Sequence, residues 1–221
     1  MIEACLSLSE AETDIAVALD LDDPALPGYE AAPRLLTGNG VSYFKGQRIG
    51  LGASTNLVAD LKHGDYRALA SLGDDHMPRT QGWDRLLLKA LDDIGGEGIA
   101  YGDDLHQGSR LPTAPVISAG IVEALGWMCE PSLRHFCVDA VWRDLGEQAG
   151  CLRYAPDVVI EHMHPHAGKG PRDATYLEVG ETSGRLEPDS GAYQAWRRER
   201  MAADVAKVRA VMATSPVRGG A

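Results

Sequence analysis

Apolar residues in this chain fall into short blocks, and the blocks alternate with stretches of helical period. Ile15-Ala-Val-Ala-Leu19, Val41-Ser-Tyr-Phe44, Leu69 to Leu72, Ile99-Ala-Tyr101, Pro115-Val-Ile-Ser118 and Asp157-Val-Val-Ile160 are compact enough to be buried strands. Between them, Leu86, Leu87, Ala90, Leu91 and Ile94 recur at helical spacing, as do Leu133, Phe136, Cys137, Val141 and Leu145. The spacing predicts helices over 2–11, from Ser54 or Thr55 to Lys62, over 81–93 with Thr80 as cap and Gly95-Gly96 as stop, from Ile121 to Trp127, from Pro131 onward, and over 190–213. Residues 167–189, rich in Gly, Pro and charge, read as a loop or flap, and Ser215 to Ala221 as a frayed tail. Strands alternating with helices predict an α/β protein with a mostly parallel sheet.

The polar residues that end these blocks are not random. Four strands run into acids or histidines: Asp20, Asp22 and Asp23; Asp74, Asp75 and His76; Asp103 and Asp104; His162 and His164. In a parallel sheet, ligands bind outside the carboxyl ends of strands, so this recurrence predicts a site there.

Adjacent carboxylates at a strand end repel each other unless a cation or hydrogen bonds compensate. Asp74 and Asp75 suit Mg²⁺ or Mn²⁺, and an imidazole beside them tilts the choice towards Mn²⁺. The competing reading makes one Asp a helix cap and leaves His76 in solvent. In His162-Met-His164-Pro-His166, residues 162 and 164 share one side of an extended segment. They suit a metal ligand and a phosphate contact, the HxH of a metal-dependent hydrolase, or an exposed polar loop. Asp139, expected in mid-helix four residues after His135, has poor propensity there and is a candidate general base. The alternative is a solvated acid near Arg143. Arg79, Arg110, Lys169 and Arg172 fall in loops near this site, where they would meet a diphosphate or serve as ordinary surface charges.

Bulk composition narrows the partners. The chain has 221 residues, 44% hydrophobic and 24% charged, which suits a soluble globular domain. A formal charge of -11 argues against a broad nucleic-acid-binding face. No apolar run reaches the roughly 20 residues of a membrane span, and the first residues lack the pattern of a signal peptide. Cys5, Cys129, Cys137 and Cys151 form no CxxC, so a reduced, cytoplasmic setting is expected, with Cys129 and Cys137 packing as small hydrophobes.

Several stretches together resemble a known family. They are Leu19-Asp-Leu-Asp-Asp-Pro24, Leu72 to Thr80 with Gly82-Trp-Asp84, Tyr101-Gly-Asp-Asp104, His135 to Asp139 and Val159 to His164, spanning about residues 14–176. Their order and spacing resemble the inverting nucleotide-sugar glycosyltransferases of the GT-A fold, and more narrowly the small glycosyltransferase-like proteins of actinobacteriophages. The resemblance implies a GT-A (Rossmann-like) catalytic domain over 1–189, followed by a C-terminal helix and tail over 190–221.

It also implies roles. Asp75, with His164 or His162, would hold Mn²⁺ or Mg²⁺, although Gly73-Asp-Asp-His76 departs from a strict DxD. Asp20, Asp22, Asp74, Lys169 and Arg172 would contact the nucleotide-sugar donor, and Asp139 matches the position of the catalytic base. The acceptor would be a phage structural protein or a glycan, and the setting the host cytoplasm. Nucleotidyl transfer, or sugar-nucleotide binding without turnover, are the alternatives. Met1 falls where the family's first helix begins, so the expected first strand lies outside the chain, and a truncated, weakly active product is expected.

Overall fold

A computed structural model describes residues 1–31, 40–165, 168–169 and 186–215. In chain order the elements are α1 (Ile2–Leu8), β1 (Ile15–Asp20), α2 (Leu26–Ala31), β2 (Val41–Gly46), α3 (Leu51–Lys62), β3 (Ala68–Ala70), β4 (His76–Pro78), α4 (Trp83–Asp92), β5 (Ile99–Asp103), β6 (Pro115–Ser118), α5 (Ala119–Leu125), α6 (Val138–Ala149), β7 (Leu152–His162), α7 (Leu186–Glu199) and α8 (Met201–Thr214).

Helices and strands alternate as expected, but the sheet is not the mostly parallel, Rossmann-like GT-A sheet. β1 and β2 form a separate parallel pair. The main sheet runs β3-β6-β5-β7-β4. Only β5 and β7 are parallel in it, while β3–β6, β5–β6 and β4–β7 are antiparallel. The sheet curls into a half-barrel. The physical reason lies in the connections. A parallel pair needs a crossover of a dozen or more residues, usually helical. α6 supplies one between β5 and β7, whereas β5 and β6 are joined by residues 104–114 with no α-helix between them. Hydrophobic blocks count strands but carry no direction.

Period-two alternation gives the sheet two apolar faces. Ile99 of β5 and Ile117 of β6 meet α5 to α8 on one face, with Val141, Leu145, Trp196 and Val208 at the centre. Ala100, Val116, Val158 and Ile160 meet α1 and α4 on the other, with Trp83, Leu87 and Leu91. The predicted stripe of α4 is therefore in place. Residues 190–213 are not one helix: the chain breaks at Arg200, φ -124°, and Trp196 Nε1 donates to Asp204 Oδ2 across the break at 3.0 Å.

Two helix starts also differ from expectation. Thr80 does not cap α4; its Oγ1 accepts from Val159 N–H at 2.9 Å, tying the loop to β7. α6 begins at Val138 rather than near Pro131, because Cys137 sits in the left-handed region at φ 65° and the buried Asp189 of α7 takes up the backbone N–H groups of Arg134, His135 and Phe136 at 2.7–3.1 Å. Among the described residues no helix is long and apolar enough to cross a membrane.

Asp84 holds the N-terminal segment to this core. Its buried carboxylate accepts from Glu10 N–H at 2.9 Å, Ala11 N–H at 3.0 Å and the Thr13 hydroxyl at 2.6 Å. Burial opposes its charge, and these bonds together with Arg85 N–H outweigh burial and hold its pKa below the ordinary value. Asp84→Ala should cost about 2–3 kcal/mol, seen as a lower urea midpoint with an unchanged slope. A depressed folded-state pKa gives stability that is present above the unfolded pKa and lost as pH falls through the folded one. The deficit of Asp84→Ala should therefore be full at pH 7 and shrink on acidification below about pH 4.

Candidate metal centre

Side chains from two distant stretches, Asp75 with His76 and His162, meet where β4 pairs with the end of β7. β5 and β7 run parallel, so Asp104 and His162 emerge at the same end. β4 runs against β7 with His76 in register with His162, and Asp75 lies one residue before it. Directly opposed residues of an antiparallel pair put their side chains on one face. Accordingly the His76 and His162 rings stack at 4.2 Å between centroids. One ligand atom from each of Asp75, His76 and His162 lies within 4.8 Å of the others, the spacing a single cation would span.

The turn before β4 is built for this placement. His76 N–H donates to Gly73 C=O at 3.1 Å, and Gly73 N–H donates to His76 Nδ1 at 3.0 Å. A side chain at Gly73 would collide with the Asp75 carboxylate and the His76 ring. Met163 N–H donates to Asp75 C=O at 2.8 Å, which ties the turn to the end of β7.

Asp104 orients His162 from behind. It is 2% exposed. Its Oδ1 accepts from His106, Gln107 and Gly108 N–H at 2.6–2.9 Å, and its Oδ2 accepts from the Thr113 hydroxyl at 2.9 Å. The same Oδ2 stands 3.8 Å from His162 Nδ1, while His162 Nε2 is 3.0 Å from Asp75 Oδ2. A carboxylate behind an imidazole whose other nitrogen faces the ion is the usual support of a metal-ligating histidine. Burial pulls the His162 pKa down, but Asp104 and Asp75 outweigh it and push it up to about 9. Burial likewise opposes charge on Asp75, and the two histidines override it, holding the carboxyl far below the ordinary range. A divalent cation would take the place of the His162 proton.

The donor set fits such a cation. Among the described residues, His76 Nε2 is buried without a hydrogen-bond partner. His76 Nδ1 and Asp75 Oδ1 face each other at 3.4 Å although the nitrogen already accepts from Gly73 N–H. One oxygen and two imidazole nitrogens suit Mn²⁺ and its transition-metal neighbours better than Mg²⁺.

The other sequence candidates are distributed around this group. His164 lies one ring further out, 4.9 Å from His162 and stacked with His106 at 5.5 Å. Asp139 is in the first turn of α6, not mid-helix, so it does not share a helix face with His135. An acid in a first turn is favoured, which removes the propensity argument. Its burial remains and raises its pKa, against the pull of Ala140 N–H, Arg143 and His162.

Asp20 and Asp22 lie at the end of β1, where Arg48 is 3.6 Å from Asp20 and donates to Asp22 at 3.1 Å. Asp74 is exposed and close enough to Tyr29 to help raise the phenol's pKa, after burial. Lys169 pairs with Glu161 at 2.9 Å, and so does Arg79 from the other side. Arg110 donates to Gln107 and His106 carbonyls. Arg172 and His166 lie outside the described residues.

Sequence reading gave no role to His106 and none to Asp104 as an orienting group. Asp104 carried a usable signal, an Asp followed two and four residues later by His106 and Gly108, the pattern of a side chain that binds its own loop. Comparison with models of known protein families gives no match, and comparison with characterised proteins gives none.

His76→Ala and His162→Ala should each abolish stoichiometric Mn²⁺ binding by calorimetry, whereas His164→Ala should retain it. Asp104→Asn should weaken binding about 10–100-fold with the ligands intact.

Proposed function

We propose that this protein is a divalent-cation-dependent transferase that moves a sugar from a nucleoside-diphosphate sugar to an acceptor hydroxyl, with inversion. The observation that carries the reading is the Asp75, His76 and His162 group, with His76 buried and the other two half-buried. The arrangement separates two tasks by environment. Asp75 is kept ionised among imidazoles, and Asp139 is desolvated and made more basic.

A cation held by Asp75, His76 and His162 would offset the charge that builds on a departing diphosphate. Asp104 keeps the His162 ring turned towards Asp75. Asp139 accepts the proton of the acceptor hydroxyl as its oxygen attacks the anomeric carbon from the face opposite the leaving group. A carboxylate with a raised pKa is better matched to that proton transfer than an exposed one. Lys169, already held by Glu161 and 3.4 Å from the Leu105 carbonyl, borders the same end of β7 and would lend positive charge to the donor.

Two imidazoles among three ligands also favour transition-metal hydrolysis, so the experiment must separate the two. Nucleotide sugars are screened with Mn²⁺ for release of nucleoside diphosphate, with and without acceptor hydroxyls. Transfer predicts release that rises with acceptor and a glycosylated product of inverted anomeric configuration. Release indifferent to acceptor assigns hydrolysis, and turnover only with nucleoside triphosphate and sugar phosphate assigns nucleotidyl transfer. Asp139→Asn should lower kcat at least about 100-fold while Mn²⁺ binding is unchanged. Full activity in that variant would remove Asp139 from the mechanism.

A further inference from the structure

A second concavity lies on the α6 face of the sheet, and none of the cation-group residues lines it. It is an open cavity of about 480 Å³ walled by Tyr101 and Tyr154, Glu147, and Gly146 and Gly150 at the end of α6. Tyr101 of β5 and Tyr154 of β7 are partners in register, with ring centroids 5.2 Å apart and planes tilted by 42°.

Three independent features give this cavity one electrostatic sign. The first is aromatic: Tyr101, almost wholly buried, and Tyr154, half-buried, border it, and tyrosine rings attract cations. The Tyr101 hydroxyl is already spent as a donor to the Ser109 carbonyl at 2.8 Å, and the Tyr154 hydroxyl lies in the field of Asp103, which helps raise its pKa after burial. Both keep acceptor capacity. The second is Glu147, which carries the only charge among the described residues that line the cavity. Arg143, nearby, is taken up by Asp144 at 2.7 and 3.0 Å. The third is α6 itself. The cavity sits at the carboxyl end of this helix of 12 residues, where the partial charge is negative. Gly150, at φ 81°, closes the helix by donating to the Gly146 and Glu147 carbonyls; Cys151 N–H takes the second lone pair of Gly146, and the Glu147 carbonyl keeps one.

We propose that this cavity binds an organic ammonium group, presented by a small amine or by a lysine side chain of a protein partner. Tyrosine rings, a carboxylate and a helix carboxyl end all favour a cation with an alkyl stem over a neutral or anionic ligand. The proposal does not rest on sugar transfer and stands if that reading fails.

The test is an NMR titration of the full chain with n-butylammonium chloride, against n-butanol as neutral isostere and sodium chloride at matched ionic strength. Saturable shifts of the Gly146, Glu147, Gly150 and Tyr154 amides with the amine alone are expected. Glu147 is exposed on the helix surface, so Glu147→Gln keeps the fold, and it should weaken binding about tenfold. Tyr154→Leu should weaken it about fivefold. An N-acetyl-lysine amide that binds more tightly than butylammonium assigns the site to a protein side chain, and one that binds more weakly assigns it to a small amine. Equal shifts with n-butanol, or an unchanged titration of Glu147→Gln, overturn the proposal.

Discussion

A buried carboxylate that gathers several backbone N–H groups is the joint on which this molecule depends. Asp84 fastens the N-terminal segment to α4, Asp104 closes the loop after β5, and Asp189 fixes the segment before α6. Charge-assisted bonds of this kind are roughly twice as strong as neutral ones. They order loops that have few apolar anchors of their own. These three acids are thus accounted for without any ligand. Asp75 differs, because the groups pressed against it are imidazoles rather than backbone amides. That contrast separates an acid that builds the fold from one that is presented for chemistry.

The same distinction explains how far the sequence could be read. Strand and helix positions were legible wherever periodicity was strong: the stripe of α4 and the blocks at Ile15, Ile99 and Pro115 became the elements expected. Strand direction was not legible, since nothing in Pro115-Val-Ile-Ser118 distinguishes a parallel neighbour of β5 from an antiparallel one. The break between α7 and α8 and the late start of α6 were hidden for a related reason. Each is set by a side-chain bond rather than by periodicity: Asp204 on Trp196, eight residues away across the break, and the distant Asp189 on the amides of 134–136.

The cluster of Asp75 with a histidine at the end of the last strand was legible, because acids and imidazoles at strand ends need compensation. His76 as the third member was not separable from an exposed loop residue. Its role depends on the pairing of β4 with β7, a register invisible in a three-residue strand. Asp20 and Asp22 were read by the same rule as Asp75, yet Arg48 meets them. An acidic strand end therefore predicts a need for positive charge and leaves open whether an ion or an arginine supplies it.

The two halves of the candidate metal centre are separated by 87 residues, from Asp75 to His162. Neither half can form the site within its own local structure. Closing so long a loop carries an entropic cost, and the group is complete only once β4 has paired with β7. A cation that binds only this assembled arrangement deepens the native well and slows unfolding, but it has nothing to grip while the chain is still searching. A metal held there would therefore act as a lock and not as a template.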